Sequence, residues 1–187
     1  MTLLLEKGAN VNAQGGYYGN ALQAASANGH KAVVALLLHK GADVNAQGGH
    51  NSNALQAASK GGYKSAVTLL LEKGAEVNAK GGYHRNALQA ASANCHEAVV
   101  TLLLEKGADV NAWGGGYGNA LQAASANGHK AVVTLLLDKG ANVNTQGGTY
   151  GSALQAASNG GHEAVVALLL EKGADVNTQG GAYSNAL

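Results

Sequence analysis

Four histidines, one cysteine and a recurring glycine pair are the residues of this sequence that first suggest chemistry. His30, His96, His129 and His162 are potential metal ligands, but they fall one per 33-residue step. Helices in successive packed layers lie about 8–10 Å apart, so neighbouring histidines cannot share an ion held by bonds of about 2 Å. Tyr63 also stands where the second copy would carry its histidine. The histidines read as structural turn residues, and no metal site is assigned. Cys95 occupies a position that is glycine in the other copies, without the His-plus-carboxylate set that activates a thiol. The pairs Gly15-Gly16, Gly48-Gly49, Gly81-Gly82, Gly114-Gly115, Gly147-Gly148 and Gly180-Gly181 lack the Gly-Lys-Ser/Thr continuation of a phosphate cradle and read as turns. Glu72, Glu105 and Glu171 again occur once per copy, as solvated helix-end charges rather than paired carboxylates. No catalytic or cofactor residue emerges, and the chain is not expected to be an enzyme.

Recognition chemistry is better represented. Helix-core positions hardly change between copies, as Leu22, Leu55, Leu88, Leu121 and Leu154 illustrate, whereas residues beside the glycine pairs vary freely. One variable row reads Tyr17, His50, Tyr83, Gly116, Thr149, Ala182, and the next Tyr18, Asn51, His84, Tyr117, Tyr150, Tyr183. A third reads Gly19, Ser52, Arg85, Gly118, Gly151, Ser184, and the residue before each pair reads Gln14, Gln47, Lys80, Trp113, Gln146, Gln179. The only Trp and every Tyr except Tyr63 lie in these rows, in a chain that is 4% aromatic. Tyr, Trp and Arg are the usual anchors of protein recognition. The candidate partner-binding residues are therefore Tyr17, Tyr18, His50, Asn51, Lys80, Tyr83, His84, Arg85, Trp113, Tyr117 and Tyr150. The alternative is that loops drift and the tyrosines pack along them.

The elements that must carry these rows repeat without insertion or deletion. ALQAAS begins at Ala21, Ala54, Ala87, Ala120 and Ala153, and Lys-Gly-Ala recurs from Lys7 to Lys172 at the same step of 33 residues. A fixed period of this length marks a stacked array in which each unit buries its apolar surface against its neighbours. Within a unit, Asn20 followed by Gln23 has capping-box spacing, repeated at Asn53/Gln56, Asn86/Gln89, Asn119/Gln122 and Ser152/Gln155. A first helix is expected over 20–29, ended by Gly29, and a second over 30–40, ended by Gly41. Val33, Leu36, Leu37 and Lys40 have helical spacing, and Val34 with Leu38 widens the apolar stripe. The glycine-rich connection between helix pairs is extended and turned. Helices this short are marginal alone, so stacking must hold them, with Leu102 and Leu103 in the central layer. The fold class is an all-α repeat solenoid over 1–187, with a partial unit at 1–19, full units near 20–52, 53–85, 86–118, 119–151 and 152–184, and a partial start at 185–187.

Bulk properties bound the partners. A net charge of +1 gives no general reason to expect nucleic acid or an anionic membrane. A single cysteine cannot form an intrachain disulfide, which favours a reducing, cytoplasmic setting. No signal peptide or membrane-spanning run is visible.

The 33-residue unit with Leu22-Gln23-Ala24-Ala25, Gly29-His30, Val33-Val34-Ala35-Leu36-Leu37-Leu38 and Gly41-Ala42-Asp43-Val44-Asn45 resembles the ankyrin repeat. The resemblance covers essentially the whole chain. It implies antiparallel helix pairs, hairpin-like fingers projecting at about a right angle, and a concave face of fingers and first helices that binds proteins. Departures lie in the usual Thr-Pro-Leu-His opening, here Asn20-Ala21-Leu22-Gln23, and in the finger, where Gly15 takes the usual Asp position and Tyr18 the usual Gly position. The near-identical copies also resemble ankyrin arrays of fungal proteins, including those attached to NACHT-type nucleotide-binding receptors. The expected function is a non-catalytic protein–protein interaction module without cofactors, presenting its fingers to a surface of some acidic character. The alternative is a structural or self-associating solenoid fragment of a larger protein. End-to-end association would then run through Leu3, Leu4 and Leu5 and the helix beginning near His162.

Overall fold

The computed structural model describes residues 9–178 and 180. Within them lie five helix pairs: α1 Ala21–Ala27 with α2 Lys31–His39, α3 Ala54–Lys60 with α4 Lys64–Glu72, and α5 Ala87–Ala93 with α6 Glu97–Glu105. The last two are α7 Ala120–Ala126 with α8 Lys130–Asp138, and α9 Ala153–Asn159 with α10 Glu163–Glu171. First helices pack on first helices and second on second along the array. No helix among the described residues is long and apolar enough to cross a membrane.

Each first helix starts where Asn, or Ser152, accepts the N–H of the glutamine three residues on, satisfying a donor that the helix itself cannot. Only at Asn20 does the reciprocal bond also form, Asn20 N–H to Gln23 Oε1 at 3.0 Å. α1 ends with His30 N–H on Ala25 O at 3.0 Å, which carries the chain through Gly29 at φ 68°. α2 ends the same way through Gly41, with Ala42 N–H on Leu37 O at 3.0 Å. The helices are shorter than the expected spans because Asn20, Asn28, His30 and Lys40 serve as caps.

One continuous core runs from Leu22 to Leu169. Leu37, Leu70, Leu103, Leu136 and Leu169 are each no more than 1% exposed, and the alanines Ala58, Ala91, Ala124 and Ala157 let first helices approach closely. Leu102 is also buried.

Three polar clips tie each layer to the next. Gln89 Nε2 donates to Ala112 O and Gly118 O, both at 3.1 Å, so a capping residue also anchors the following finger. Gln23, Gln56, Gln122 and Gln155 do likewise. On the outer edge, Asn45 donates to Gly74 O at 3.0 Å and accepts Glu76 N–H at 2.9 Å, and Asn12, Asn78, Asn111 and Asn144 repeat the clasp. At the helix turns, His96, His129 and His162 donate through Nε2 to Lys60 O, Ala93 O and Ala126 O of the preceding layer, at 2.9–3.1 Å. Every one of these three rings is thus committed to a backbone carbonyl. Tyr63 lays its ring against Gly29 instead.

Candidate interaction surface

The fingers are tight turns closed by one short backbone bond, such as Gly48 N–H to Ser52 O at 2.7 Å and Gly114 N–H to Gly118 O at 2.7 Å. Four of them meet the geometry of an isolated antiparallel bridge, at 15/19, 81/85, 114/118 and 147/151. The second glycine of each of the five described pairs takes positive φ, between 62° at Gly49 and 72° at Gly115. Space demands it as well, since a Cβ on Gly49 would collide with the Tyr18 carbonyl of the preceding finger.

That close stacking decides where the candidate residues go. His50 N–H donates to Tyr17 O at 2.9 Å, and the Tyr17 and His50 rings stack at 5.0 Å with planes 16° apart. Tyr18 stands edge-on to Tyr17 at 5.1 Å. Further along, His84 stacks on Tyr117 at 6.2 Å and Tyr117 on Tyr150 at 6.3 Å, so three consecutive fingers share one ladder of rings. Tyr83 sets its edge against both His84 and Tyr117, at 5.1 and 6.2 Å. Neighbouring fingers are therefore joined ring to ring, more closely than helix spacing alone implies. Tyr183 lies outside the described residues.

Asn51 interrupts the ladder between Tyr18 and His84. Trp113 sits apart from it: its ring lies over Gly147 of the next finger, where an added Cβ would come within 2.8 Å of Cζ2, and it remains 55% exposed. Among the described residues Trp113 joins no ring pair. Arg85 lies over Gly114 and Gly115, with Nε buried and without a hydrogen-bond partner. Lys80 is exposed. The structure thus brings Tyr83, His84, Tyr117 and Tyr150 together, and separately Tyr17, Tyr18 and His50.

The electrostatics of this side are one-signed. The finger and first-helix segments carry Lys60, Lys80 and Arg85 but no Asp or Glu; among the described residues every Asp and Glu lies on a second helix or in the loop after it. His84 responds to this surrounding. Its pKa falls from 6.5 to about 4, chiefly because burial disfavours the charged ring and further because Lys60 and His50 add positive potential. Lys60 was not among the sequence candidates. The signal existed, since the equivalent residues are Ala27, Ala93, Ala126 and Asn159, but it lies on a first helix outside the variable finger rows. A groove of about 240 Å³ opens between fingers and first helices beside Tyr18, Asn51 and Lys60.

A family model for ankyrin repeats (3 copies) matches residues 46–112 and 115–180. The chain belongs to the ankyrin-repeat family. A second model, for ankyrin repeats (many copies), matches 88–137, and one for the single ankyrin repeat matches 20–49. A comparison with curated proteins returned no match. Ankyrin repeats are in general protein–protein interaction modules rather than catalysts.

Proposed function

We propose that this ankyrin array is a non-catalytic binding module whose finger ridge, centred on Tyr83, His84, Tyr117 and Trp113, takes a protein partner. The observation that carries the reading is the half-buried ring ladder of His84, Tyr117 and Tyr150 with exposed Tyr83 and Trp113 beside it. Rings stacked across successive fingers offer a large amphipathic area that is already ordered, which lowers the entropy lost on binding. The helix stack does not require these side chains, because equivalent positions carry Gly, Thr, Asn or Gln. The near-identity of the copies supports kinship with fungal-type arrays, including those attached to NACHT-type receptors. The self-association reading rests in part on Leu3, Leu4 and Leu5, which lie outside the described residues.

The test is a fragment-display selection on the immobilised array, followed by affinity and thermal midpoint for Trp113→Ala and Tyr117→Ala. Each substitution should weaken a selected partner by about 1–3 kcal/mol, the range of interface anchors, with the midpoint nearly unchanged. Binding that survives the double substitution overturns the ridge as the site. A collapse of the midpoint would instead make Trp113 a packing residue over Gly147.

A further inference from the structure

We propose that the gap opened by Asn51 between Tyr18 and His84 seats the side-chain carboxylate of an extended acidic peptide segment, paired to Lys60. The proposal rests on the reading of the finger face as the partner surface, and it names the chemistry of one subsite on that face.

The gap comes first. In the described part of this row, Tyr18, His84, Tyr117 and Tyr150 all carry rings, and Asn51 alone is short and ringless. The groove of about 240 Å³ lies there, reaching from Tyr17 and Tyr18 past Asn51 to Ala57 and Lys60 on the first helix. It falls below the about 300–1,000 Å³ of ordinary small-molecule sites. Its size suits one side chain of a peptide rather than a whole ligand.

Its polar groups select the sign of that side chain. Lys60 is half-buried and has no carboxylate partner; among the described residues the one ion pair is Lys172 with Asp138, at 3.9 Å at the C-terminal ends of second helices. The Asn51 side chain makes no hydrogen bond among the described residues, so its amide N–H groups are available in the groove that Lys60 also lines. With no Asp or Glu on any finger or first helix, nothing on this face competes for Lys60 or repels an incoming carboxylate. The depressed pKa of His84, for which Lys60 is the second cause, is a further sign of positive potential at this spot. A carboxylate entering here would gain a charge-assisted hydrogen bond in a partly desolvated setting. Tyr17 and Tyr18 would flank it and pack against the apolar parts of adjacent peptide residues.

A nucleic acid fits less well. Phosphate backbones are bound by tracks of cations, whereas this face offers Lys60, Lys80 and Arg85 alone, in a chain of net charge +1. One or two carboxylates on a peptide match that supply.

A random dodecapeptide display library panned in parallel on the full chain and on its Lys60→Glu variant tests the proposal. The expected result is enrichment of peptides with Asp or Glu at one fixed position, lost on Lys60→Glu. A synthetic peptide of the selected sequence should bind Lys60→Ala about tenfold more weakly, the scale of one charge-assisted bond. Reversing both charges, Lys60→Glu with the peptide acid changed to Lys, should recover binding. Asn51→Tyr, which fills the gap with the residue found at the equivalent Tyr18, Tyr117 and Tyr150, should abolish it without lowering the thermal midpoint. Selected peptides without an acidic preference, or affinities indifferent to Lys60, overturn the proposal. If such peptides still depend on Tyr83 and Tyr117, the wider reading of the ridge stands. An empty selection overturns both. Lys60-dependent binding of an oligothymidine about twenty nucleotides long would overturn the peptide assignment in favour of nucleic acid.

Discussion

Ser52, Arg85 and Cys95 hold left-handed backbone, at φ 71°, 71° and 59°, where the equivalent residues are mostly glycine. A side chain in that region costs roughly 1–2 kcal/mol through the clash of Cβ with the carbonyl. Cys95 is the clearest case, because it is exposed and no counterpart interaction explains it. At the equivalent Gly128 an added Cβ would come within 2.6 Å of the His162 ring, which is engaged in its layer clip. Cys95→Gly should therefore stabilise the array by about 1 kcal/mol, after allowing for the greater freedom of glycine in the unfolded chain. A urea midpoint that falls instead would show that the thiol packs usefully. His84 makes a second residue-scale case. Its folded pKa of about 4 lies below the unfolded 6.5, through burial first and then Lys60 and His50. Between those values the unfolded chain binds a proton that the folded chain refuses, so stability falls as pH drops through this window and levels off below it. Above the window the contribution is complete. His84→Asn, which copies Asn51, should narrow the difference between urea midpoints at about pH 7 and about pH 5. Carboxylates common to both proteins cancel in that comparison. An unchanged difference would mean that His84 titrates normally.

Helices were legible in the sequence because three local signals agree: a polar cap, a glycine stop and an apolar stripe of helical period. The clips between layers were not legible, and the reason is physical. Gln89 has capping-box spacing after Asn86, and that spacing by itself accounts for the residue, leaving no visible reason to look for a second partner. Its amide instead turns to the next finger, where it is the partner of the Ala112 carbonyl and a second donor to the Gly118 carbonyl, which also takes Gly114 N–H. Asn45 reads as an ordinary loop residue, although it clasps both a carbonyl and an N–H of the following copy. Gln89→Ala would orphan the Ala112 carbonyl and remove one of two donors from the Gly118 carbonyl, in the finger that holds Trp113. The expected cost is about 1–3 kcal/mol, that of losing buried hydrogen bonds, with faster amide exchange at Gly114. The Gly81 amide, in the preceding finger, should exchange as before. Equal acceleration at both glycines would mean that the clip is not local. The ridge was partly legible by the same logic. Variation between copies located the rings, but only backbone contact between fingers decides that His84 meets Tyr117 while Trp113 lies elsewhere, over Gly147.

Across the whole molecule, the core is continuous from Leu22 to Leu169, yet each helix packs chiefly on its partner and on the equivalent helices one layer away. Stability in such an array is approximately a sum of unit terms and nearest-neighbour interface terms. Cooperativity therefore survives only while every interface outweighs the cost of an internal boundary between folded and unfolded layers. The central layer is where that condition is easiest to break, because weakening it removes support from both halves. Leu103 is fully buried in α6, between α4 and α8. Leu103→Ala should cost about 2–5 kcal/mol, as truncation of other buried leucines does. Where that loss falls matters as much as its size. Trp113, the sole tryptophan, sits on the finger after α6 and reports on that neighbourhood, while far-ultraviolet circular dichroism reports on all ten described helices. In the parent chain the two urea transitions should coincide. In Leu103→Ala the Trp113 transition should come first and the dichroism transition should broaden, as the flanking pairs outlast the centre. Coincident transitions in the variant, shifted together, would show that the interfaces are strong enough to keep the array a single cooperative unit. Unshifted transitions would contradict the packing of α6 itself.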